Sequence, residues 1–443
     1  MSVDSIKNRQ KCVVICKQLK EGKFMKKIAK VLLIAGMIIV VAIAKPHKNY
    51  LSFRPFQVSF AYPLGTNGFN SLEYENGMSV NILYGINGAL SGWEVGSIFN
   101  YNQQHAYGFQ VAGLANITGG DQKGFQVGGL MNYADDDSYG FQLGGAINMT
   151  RRDRYGASFS GVLNYVGDDT KGFGVSGGAN VIVDEADGSF IAGITNIVGG
   201  YSEGFMLAGG MNLIFDDIDG VMIAGVINSV SGSNYGFQLA PINIVGSDMG
   251  GAQIGVVNYA KAMEGFQLGV INYVGRDDGV LPLGLISIVE DGYYELEFSM
   301  DEISVANAKY KMGVEKLYNF FSAGLMYYKD RTIFRYGMGL GTLNHLTGPH
   351  YLSAELGTEH VINDWSWENS LNILSSLDIN YKLRIGERFG LFVGPSINAM
   401  ISSELYGGEY DAIRRGKVVY SYEWSDTKLA MWAGLNFGFS YLI

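Results

Sequence analysis

Glycine recurs at intervals of sixteen residues through the middle of this 443-residue chain. Each of these glycines opens a similar phrase, such as Gly-Phe-Gln-Val-Gly-Gly-Leu-Met-Asn at 124–132, and asparagine recurs eight residues later. Shorter units follow from Gly251, Gly265 and Gly279. Self-similarity over so many units predicts a repeat architecture. The sixteen-residue interval holds for Gly92, Gly108, Gly124, Gly140, Gly156, Gly172, Gly188, Gly204, Gly220 and Gly236.

Each unit has room for about ten strand-like residues and a short turn, and two architectures fit that length. In a parallel β-solenoid each unit is one coil, and equivalent residues stack ~4.8 Å apart. Phe and Val or Leu would then fill the interior, and stacked Asn would exchange amide hydrogen bonds. In one large antiparallel β-barrel each unit would instead be a spanning strand of ~9–11 residues and a turn. The absence of insertions favours the solenoid, because a coil must match its neighbours.

Composition supports an all-β chain. The chain contains 62 glycines and only 7 prolines, and 47% of its residues are hydrophobic. Glycine costs roughly 1 kcal/mol per site inside a helix, which argues against a helical bundle. The scarcity of proline excludes collagen. The hydrophobic content is sufficient to offset the ordering entropy of folding.

The regions that flank the repeats alternate between apolar and polar residues. Alternation of this length is typical of strands in an antiparallel outer-membrane β-barrel. It predicts such strands at 291–443, and barrel-like strands at 45–91 from Phe56, Val58 and Phe60. A soluble sandwich with one buried face is the alternative. The clearest example sets Ile373, Leu377, Ile379, Tyr381, Leu383 and Ile385 against Asn372, Ser376, Asp378, Asn380, Lys382 and Arg384.

The first 44 residues have the features of a leader. Within 25–44, lysines after Met25 precede an apolar run that ends in Ala-Ile-Ala. The apolar run is short of the ~20 residues that a spanning helix needs, so it predicts a secretory signal peptide cleaved after Ala44. Both cysteines, Cys12 and Cys16, lie upstream of Met25, and the mature chain would contain none. We therefore expect four segments: the leader 1–44, strands at 45–91, repeats at 92–290 and a barrel-like region at 291–443.

Removal of the leader makes the chain more acidic. Losing 9 Lys/Arg and 2 Asp/Glu moves the formal net charge from −10 to −17. Nucleic acid is an unsuitable partner for such a chain because its phosphates would repel the protein. Outer-membrane lipid and an unidentified extracellular or envelope ligand are the expected partners.

The repeat phrases resemble those of bacterial surface-repeat proteins, which join such repeats to a barrel-like C-terminal region. The segment Pro63–Gly68 before the repeats, and Arg388, Phe389 and Phe392–Pro395 after them, are similar as well. The resemblance covers most of the mature chain. It implies location at the outer membrane or cell surface of a Gram-negative bacterium more than any activity.

A search for catalytic patterns yields only isolated pairs. His350 with Glu355, or Glu359 with His360, would be an acid–base pair, although residues at the rim or lumen of a strand explain them better. Glu355, Glu359 and Asp378 are expected in a barrel lumen, where Lys382 and Arg384 would balance them. No zinc, P-loop or hydrolase spacing is present in the sequence.

Acidic pairs recur in the repeat turns and are the main candidate ligands. In a solenoid they would lie along one edge, as a solvated acidic edge or, alternatively, as Ca²⁺ ligands. Arg151, Arg152 and Arg154 would neutralise their acidic neighbours. The pairs are Asp136/Asp137, Asp168/Asp169, Asp184/Glu185 and Asp216/Asp217.

Recurrent aromatic residues are expected in a packed or lipid-facing column, and alternatively in a stripe that stacks on sugars. They are Phe109, Phe125, Phe141, Phe205, Phe237, Phe266, Tyr133, Tyr165 and Tyr273.

Together these patterns predict a non-enzymatic outer-membrane surface protein in which the repeats have a structural or ligand-binding role, without a cofactor or metal. A passive outer-membrane channel with an acidic lumen is the alternative, in which repeats and flanks form one barrel.

Overall fold

The computed structural model describes residues 50–328, 331–363, 372–403, 418–424 and 427–443. The described part of the chain is nearly all β, with 78% of its residues in strands and 2% in helix. The predicted leader 1–44, its signal segment 25–44 and the cleavage after Ala44 lie outside the described residues. The chain divides into two compact units, Met1–Gly250 and Gly251–Ile443, and the division falls inside the repeat array.

A 25-stranded sheet forms a β-solenoid of about 13 turns. A 3-10 helix, Gly68–Glu73, precedes its third strand. The strands are β1 (Ser52–Ala61), β2 (Leu64–Gly65), β3 (Tyr74–Asn87), β4 (Ala89–Gly96), β5 (Phe99–Asn102), β6 (Ala106–Ala112), β7 (Ala115–Thr118), β8 (Gln122–Gly128), β9 (Met131–Ala134), β10 (Ser138–Gly144), β11 (Ile147–Thr150), β12 (Arg154–Ser160), β13 (Leu163–Val166), β14 (Thr170–Ser176), β15 (Ala179–Ile182), β16 (Ala186–Ala192), β17 (Thr195–Val198), β18 (Ser202–Ala208), β19 (Met211–Ile214), β20 (Ile218–Ala224), β21 (Ile227–Val230), β22 (Asn234–Leu239), β23 (Ile242–Ile254), β24 (Val257–Val274) and β25 (Asp277–Val289).

Successive coils stack in parallel with a register of sixteen residues. Gln126 in β8 pairs with Gln142 in β10, and Asn132 in β9 pairs with Asn148 in β11. Each full coil contributes one seven-residue and one four-residue strand. The seven-residue strands stack on one another and so do the four-residue strands, and we call these two stacks the two sheets of the solenoid. The predicted solenoid is therefore confirmed. The alternative of one large antiparallel barrel that includes the repeats is wrong, because neighbouring units run in the same direction.

The recurrent glycine is required by backbone geometry. Gly140 has a φ of 121°, which disfavours residues with a side chain, and a Cβ there would lie 2.3 Å from the carbonyl oxygen of Gly124. The same close approach recurs one coil earlier, where a Cβ on Gly124 would lie 2.2 Å from the oxygen of Gly108. The glycine column thus sets how closely the coils stack.

The recurrent asparagine forms the predicted ladder inside the solenoid. Asn132 Nδ2 donates to Asn148 Oδ1 at 2.9 Å and to the backbone oxygen of Leu143 at 2.9 Å. The ladder continues at 2.8 Å from Asn180 to Asn196. Each side chain therefore fastens a coil to the next one, and its amide is satisfied although it is buried.

The expectation that phenylalanine fills the interior is wrong for the Gly-Phe-Gln units. Phe125 is 54% exposed, whereas Gln126 is 0% exposed. Gln126 Nε2 donates to Gln110 Oε1 at 2.8 Å and to Thr118 Oγ1, on the opposite sheet, at 3.2 Å. Because the stacked amides satisfy one another, their burial carries little penalty, and the neighbouring phenylalanine takes the outer face. The same interior column becomes apolar further along, at Phe190, Met206 and Met222.

The segment before the repeats also belongs to the solenoid. β1 pairs in parallel with β3, from Ser52 opposite Tyr74 onward, and β3 pairs in parallel with β4 and β5. The structure thus differs from the prediction of barrel-like strands at 45–91. Alternation in a single strand does not encode the direction of its partner, which explains the difference.

A separate nine-stranded antiparallel sheet follows in the second unit. β34 pairs with β32 and also with β26, so the pairing returns to the first strand of this sheet. We call β26–β32 and β34 the ring. The strands are β26 (Tyr293–Met300), β27 (Ala306–Val314), β28 (Leu317–Tyr328), β29 (Arg331–Thr347), β30 (His350–Asn363), β31 (Asn372–Ile385), β32 (Phe389–Ser402), β33 (Val418–Trp424) and β34 (Thr427–Leu442).

The ring separates the two side-chain parities as its sequence predicts. In β31, Leu377, Ile379 and Tyr381 are exposed, whereas Asp378 and Lys382 are buried. The polar parity of β31 therefore faces the inside of the ring and the apolar parity faces outward, although Leu374 is buried inside with Val361, Met400 and Trp432.

Candidate functional surfaces

Carboxylates and lysines inside the ring form a buried network. Glu355 accepts hydrogen bonds from Lys309 Nζ at 2.8 Å and from the Tyr318 hydroxyl at 2.8 Å. Lys309 Nζ also lies 3.0 Å from Asp378 Oδ2. Pairing of this kind is what permits charges to be buried, because each ion replaces lost water with an opposite charge.

Two further sets of ion pairs extend the network. Lys382 contacts Glu295, and its Nζ lies 3.7 Å from Glu297 Oε2. Lys311 joins Glu295, Glu297 and Glu355, with 3.5 Å between its Nζ and Glu295 Oε1. Near the other end of the ring, Arg335 pairs with Glu359 at 3.2 Å and with Asp301.

Side chains fill most of the space inside the ring. A cavity of about 20 Å³ remains among residues that include Glu297, Lys309, Arg335 and Asp378. That volume accommodates roughly one water molecule. Side chains that form ion pairs therefore fill this charged part of the interior.

Neither predicted acid–base pair is brought together. Glu355 is buried inside the ring, while His350 Nδ1 contacts the hydroxyl of the exposed Tyr381. Glu359 faces Arg335 inside, while the ring of His360 packs edge-on against Tyr336. Because successive strand residues point to opposite faces, an odd separation places the members of each pair on different sides.

Glu355, Glu359, Asp378 and Lys382 are buried inside the ring, but the ion pairs they form differ from the prediction. Lys382 pairs with Glu295 and Glu297, and Arg384 donates to Glu315 Oε1 at 2.9 Å. The ions that balance Glu355, Asp378 and Glu359 are Lys309, Lys311 and Arg335, which sequence reasoning missed. The sequence contains a pattern that indicates these positions. In 293–299 and 307–311 the charged residues occupy alternate positions, so they lie on one face of their strand.

The acidic turns of successive units lie along one side of the solenoid, which we call the acidic edge, and their carboxylates connect neighbouring coils. The carboxylate thirteen places after the unit glycine accepts a backbone N–H from the next coil, as from Asp169 N to Asp153 Oδ1 and from Glu185 N to Asp169 Oδ1, both at 3.1 Å. Arg151 Nε lies 2.8 Å from Asp135 Oδ1, and Arg152 Nη1 lies 3.7 Å from Asp136 Oδ1. These contacts give the carboxylates a structural role.

The alternative of a calcium site along the acidic edge has no geometric support. Across the part of the chain that the structure describes, no group of three or more His, Cys, Asp or Glu is placed to hold a metal ion. The carboxylates described above already contact backbone amides and arginine side chains.

Arg154 does not neutralise the acidic edge as expected, because it lies inside the solenoid. Its Nε donates to Thr170 Oγ1 at 3.0 Å, and its guanidinium lies 6.0 Å from the ring centroid of Phe190. Burial lowers the pKa of this guanidinium to about 10. Gly174 makes room for the arrangement, since a Cβ there would approach Phe190 to 2.9 Å.

The exterior of the solenoid is apolar over most of each coil. In the repeats from Gly108 to Val230, every charged residue lies in the short segments 119–123, 135–139, 151–155, 167–171, 183–187, 199–203 and 215–219. In the aromatic column Phe109 and Phe125 are exposed and Phe141 is half-buried, with 5.6 Å between the ring centroids of Phe125 and Phe141, whereas Tyr165 is buried. In each unit, the residues one, three, six, seven and nine places after the glycine form a surface without charge. We call this surface the apolar edge.

Comparison with protein-family models, with curated proteins and with solved structures finds no match to this chain. Among the residues that the structure describes, no helix combines the length and the apolar character needed to cross a membrane.

Proposed function

We propose that this chain is a non-enzymatic outer-membrane repeat protein. The ring is an eight-stranded β-barrel that spans the membrane, and the solenoid it anchors has a structural or ligand-binding role. The leader 25–44 exports the chain, and lipid of the outer membrane is the first partner of the mature protein.

The polarity of the ring carries this proposal. Its inner face contains buried ions, and its outer face is apolar, which reverses the arrangement of a water-soluble protein and suits a membrane-embedded barrel. The exposed outer residues include Phe298, Met338, Leu340, Leu352, Leu356, Leu377, Ile379, Phe389, Leu391, Val393, Ile397, Leu435, Phe437 and Phe439.

Strand length and closure support the same conclusion. A tilted strand crosses the bilayer with ~9–11 residues. β29 has 17 residues and β31 and β32 have 14 each. The pairing of β34 with both β32 and β26 leaves no free edge in the cycle of strands, which is a condition for β-structure in lipid.

The filled interior favours an anchor over a channel. The ion pairs of Lys311 and Lys309 with Glu355 cross the inside of the ring and leave a cavity of only about 20 Å³. Conduction would require these buried pairs to separate, which is strongly unfavourable.

A charge scan along one strand tests the membrane-spanning barrel. Ile379 lies in the middle of β31 and Ile385 at its end, and both are exposed on the outer face. We expect Ile379→Arg to destabilise the protein in lipid by ~2–4 kcal/mol and Ile385→Arg by ~0–1 kcal/mol, because the cost of a charge falls toward the interface. Urea unfolding in vesicles and heat-modifiable gel migration measure the difference. Equal, small effects at both positions would contradict a spanning barrel.

A further inference from the structure

The apolar edge covers both sheets of the solenoid and the turn between them. Phe125 and Val127 point outward from β8, Leu130 lies in the turn, and Met131 and Tyr133 point outward from β9. The two sheets face each other across the interior, as the contact from Gln126 to Thr118 shows. A flat protein partner would cover one of these sheets and leave the other exposed, so a fluid phase that surrounds the whole edge fits better.

The backbone at this edge is already satisfied, as lipid requires. Gly129 N donates to Ala112 O at 3.0 Å, and Leu130 N donates to Leu114 O at 2.8 Å. In the next coil, Ala146 N donates to Leu130 O at 2.8 Å. Within the array, these turn amides therefore need no water.

The depth of the edge matches one leaflet. The long strand runs from Phe125 to the turn at Gly129 through four rises of ~3.3 Å, which span ~13 Å. The hydrocarbon core of a bilayer is ~30 Å thick, so one leaflet provides ~15 Å.

Tyrosines mark the boundary between the apolar edge and the acidic edge on both sheets. The hydroxyl of Tyr133 donates to Asp135 Oδ1 at 2.6 Å, and that of Tyr139 to Asp137 Oδ2 at 3.2 Å. Their rings stay beside the apolar columns while their hydroxyls reach the carboxylates. Tyrosine takes this position at membrane–water interfaces.

We propose that the apolar edge of the solenoid lies in the acyl chains of one phospholipid leaflet, with the acidic edge in water. This inference rests on the proposed function, which places the chain at a membrane. The absence of charge from the edge and its extension over both sheets favour lipid over a second copy of the chain.

Spin labels on single cysteines test this inference, using the chain from Lys45 onward reconstituted in phosphatidylethanolamine/phosphatidylglycerol vesicles. Leu130→Cys and Ile194→Cys probe the apolar edge. Asp136→Cys probes the acidic edge and Leu391→Cys the outer face of the ring. We expect collisions with oxygen to exceed those with a water-soluble nickel chelate at residues 130, 194 and 391, and the opposite at 136.

The three sets of labels distinguish the possible failures. A lipid-exposed label at 391 with water-exposed labels at 130 and 194 would overturn the inference and leave the anchored barrel intact. A second copy of the chain on the apolar edge would shield the labels at 130 and 194 from both reagents, and a nearby spin would broaden their spectra. That result would also overturn the inference. A water-exposed label at 391 would overturn the proposed barrel, and with it this inference.

Discussion

Glu94 occupies the interior position that glutamine occupies in the next coils, and four amides surround its carboxyl group. Asn81 and Asn87 donate to Oε1 at 2.9 and 2.7 Å, and Asn102 and Gln110 donate to Oε2 at 2.7 and 3.0 Å. Burial raises the pKa of Glu94, and the amide donors oppose that rise. The carboxyl group therefore keeps its proton more readily when the chain is folded.

This shift predicts a pH-dependent stability. Because the folded state binds the proton more tightly than the unfolded chain, the contribution of Glu94 is fully present below its ordinary pKa of 4.5 and is lost as the pH rises through the raised folded pKa. We expect Glu94→Gln to raise the free energy of unfolding at pH 7.5 and to have less effect at pH 4.5. Denaturant unfolding at the two pH values measures this. The unpaired Oδ1 atoms of Asn87 and Asn102 can accept from the new amide after a side-chain flip.

The reciprocal substitution is the matched control. Gln126 is fully buried at the same register and hydrogen-bonds Gln110 and Thr118. Gln126→Glu is expected to destabilise the solenoid increasingly as the pH rises above 4.5. If the stability of the Glu94→Gln variant changes with pH as the wild type does, the assignment to Glu94 is incorrect.

At the scale of the elements, the coil is the unit of folding. Each coil contacts its neighbours through parallel pairing, the glycine column and the asparagine ladder. Stability in such arrays is approximately a sum over units and their interfaces. The loss of one complete unit therefore leaves every remaining coil with a neighbour in register.

Deletion of 124–139 removes one complete unit and places Gly108 beside Gly140 and Asn116 beside Asn148. We expect the shortened chain to keep its β-sheet circular dichroism and to unfold cooperatively, with a modest loss of stability. Deletion of 124–131 is the control, since half a unit breaks both columns and is expected to prevent folding of the array. Equal behaviour of the two deletions would contradict the solenoid register.

At the scale of the whole molecule, the two ends of the ring differ. Short turns at 315–316, 348–349 and 386–388 lie at the end where the chain enters β26 and leaves β34, whereas the five-residue segment 301–305 connects β26 to β27 at the other end. The last coil meets the short-turn end, where Asn319 Nδ2 donates to the backbone oxygen of Leu285 at 2.8 Å. Outer-membrane barrels place short turns in the periplasm. We therefore expect the repeats to join the barrel on its periplasmic side.

Cysteine labelling of intact cells checks this orientation, since both native cysteines precede residue 44. Val305→Cys reports the end that carries 301–305, Lys316→Cys the short-turn end and Lys261→Cys a late coil. A membrane-impermeant maleimide is expected to label residue 305 in intact cells, and residues 316 and 261 only after permeabilisation. Labelling of 316 and 261 without 305 would mean the opposite orientation.

The linear sequence contains the repeat length, the glycine and asparagine columns, the acidic turns and the alternation of the ring strands. Each of these is a periodicity, and periodicity can be read from the sequence without a partner strand. It therefore predicted the solenoid coils, the ladder at Asn132 and Asn148, and the inward position of Asp378 and Lys382.

The tertiary structure decided which parity of each coil faces inward, which direction the early strands run and which ions pair inside the ring. Gln126 is buried and Phe125 is exposed because stacked amides satisfy one another only once the coils are in register. Lys309 meets Asp378 across a sequence separation of 69 residues. Such contacts depend on how the strands are arranged around the ring, which no local pattern in the sequence specifies.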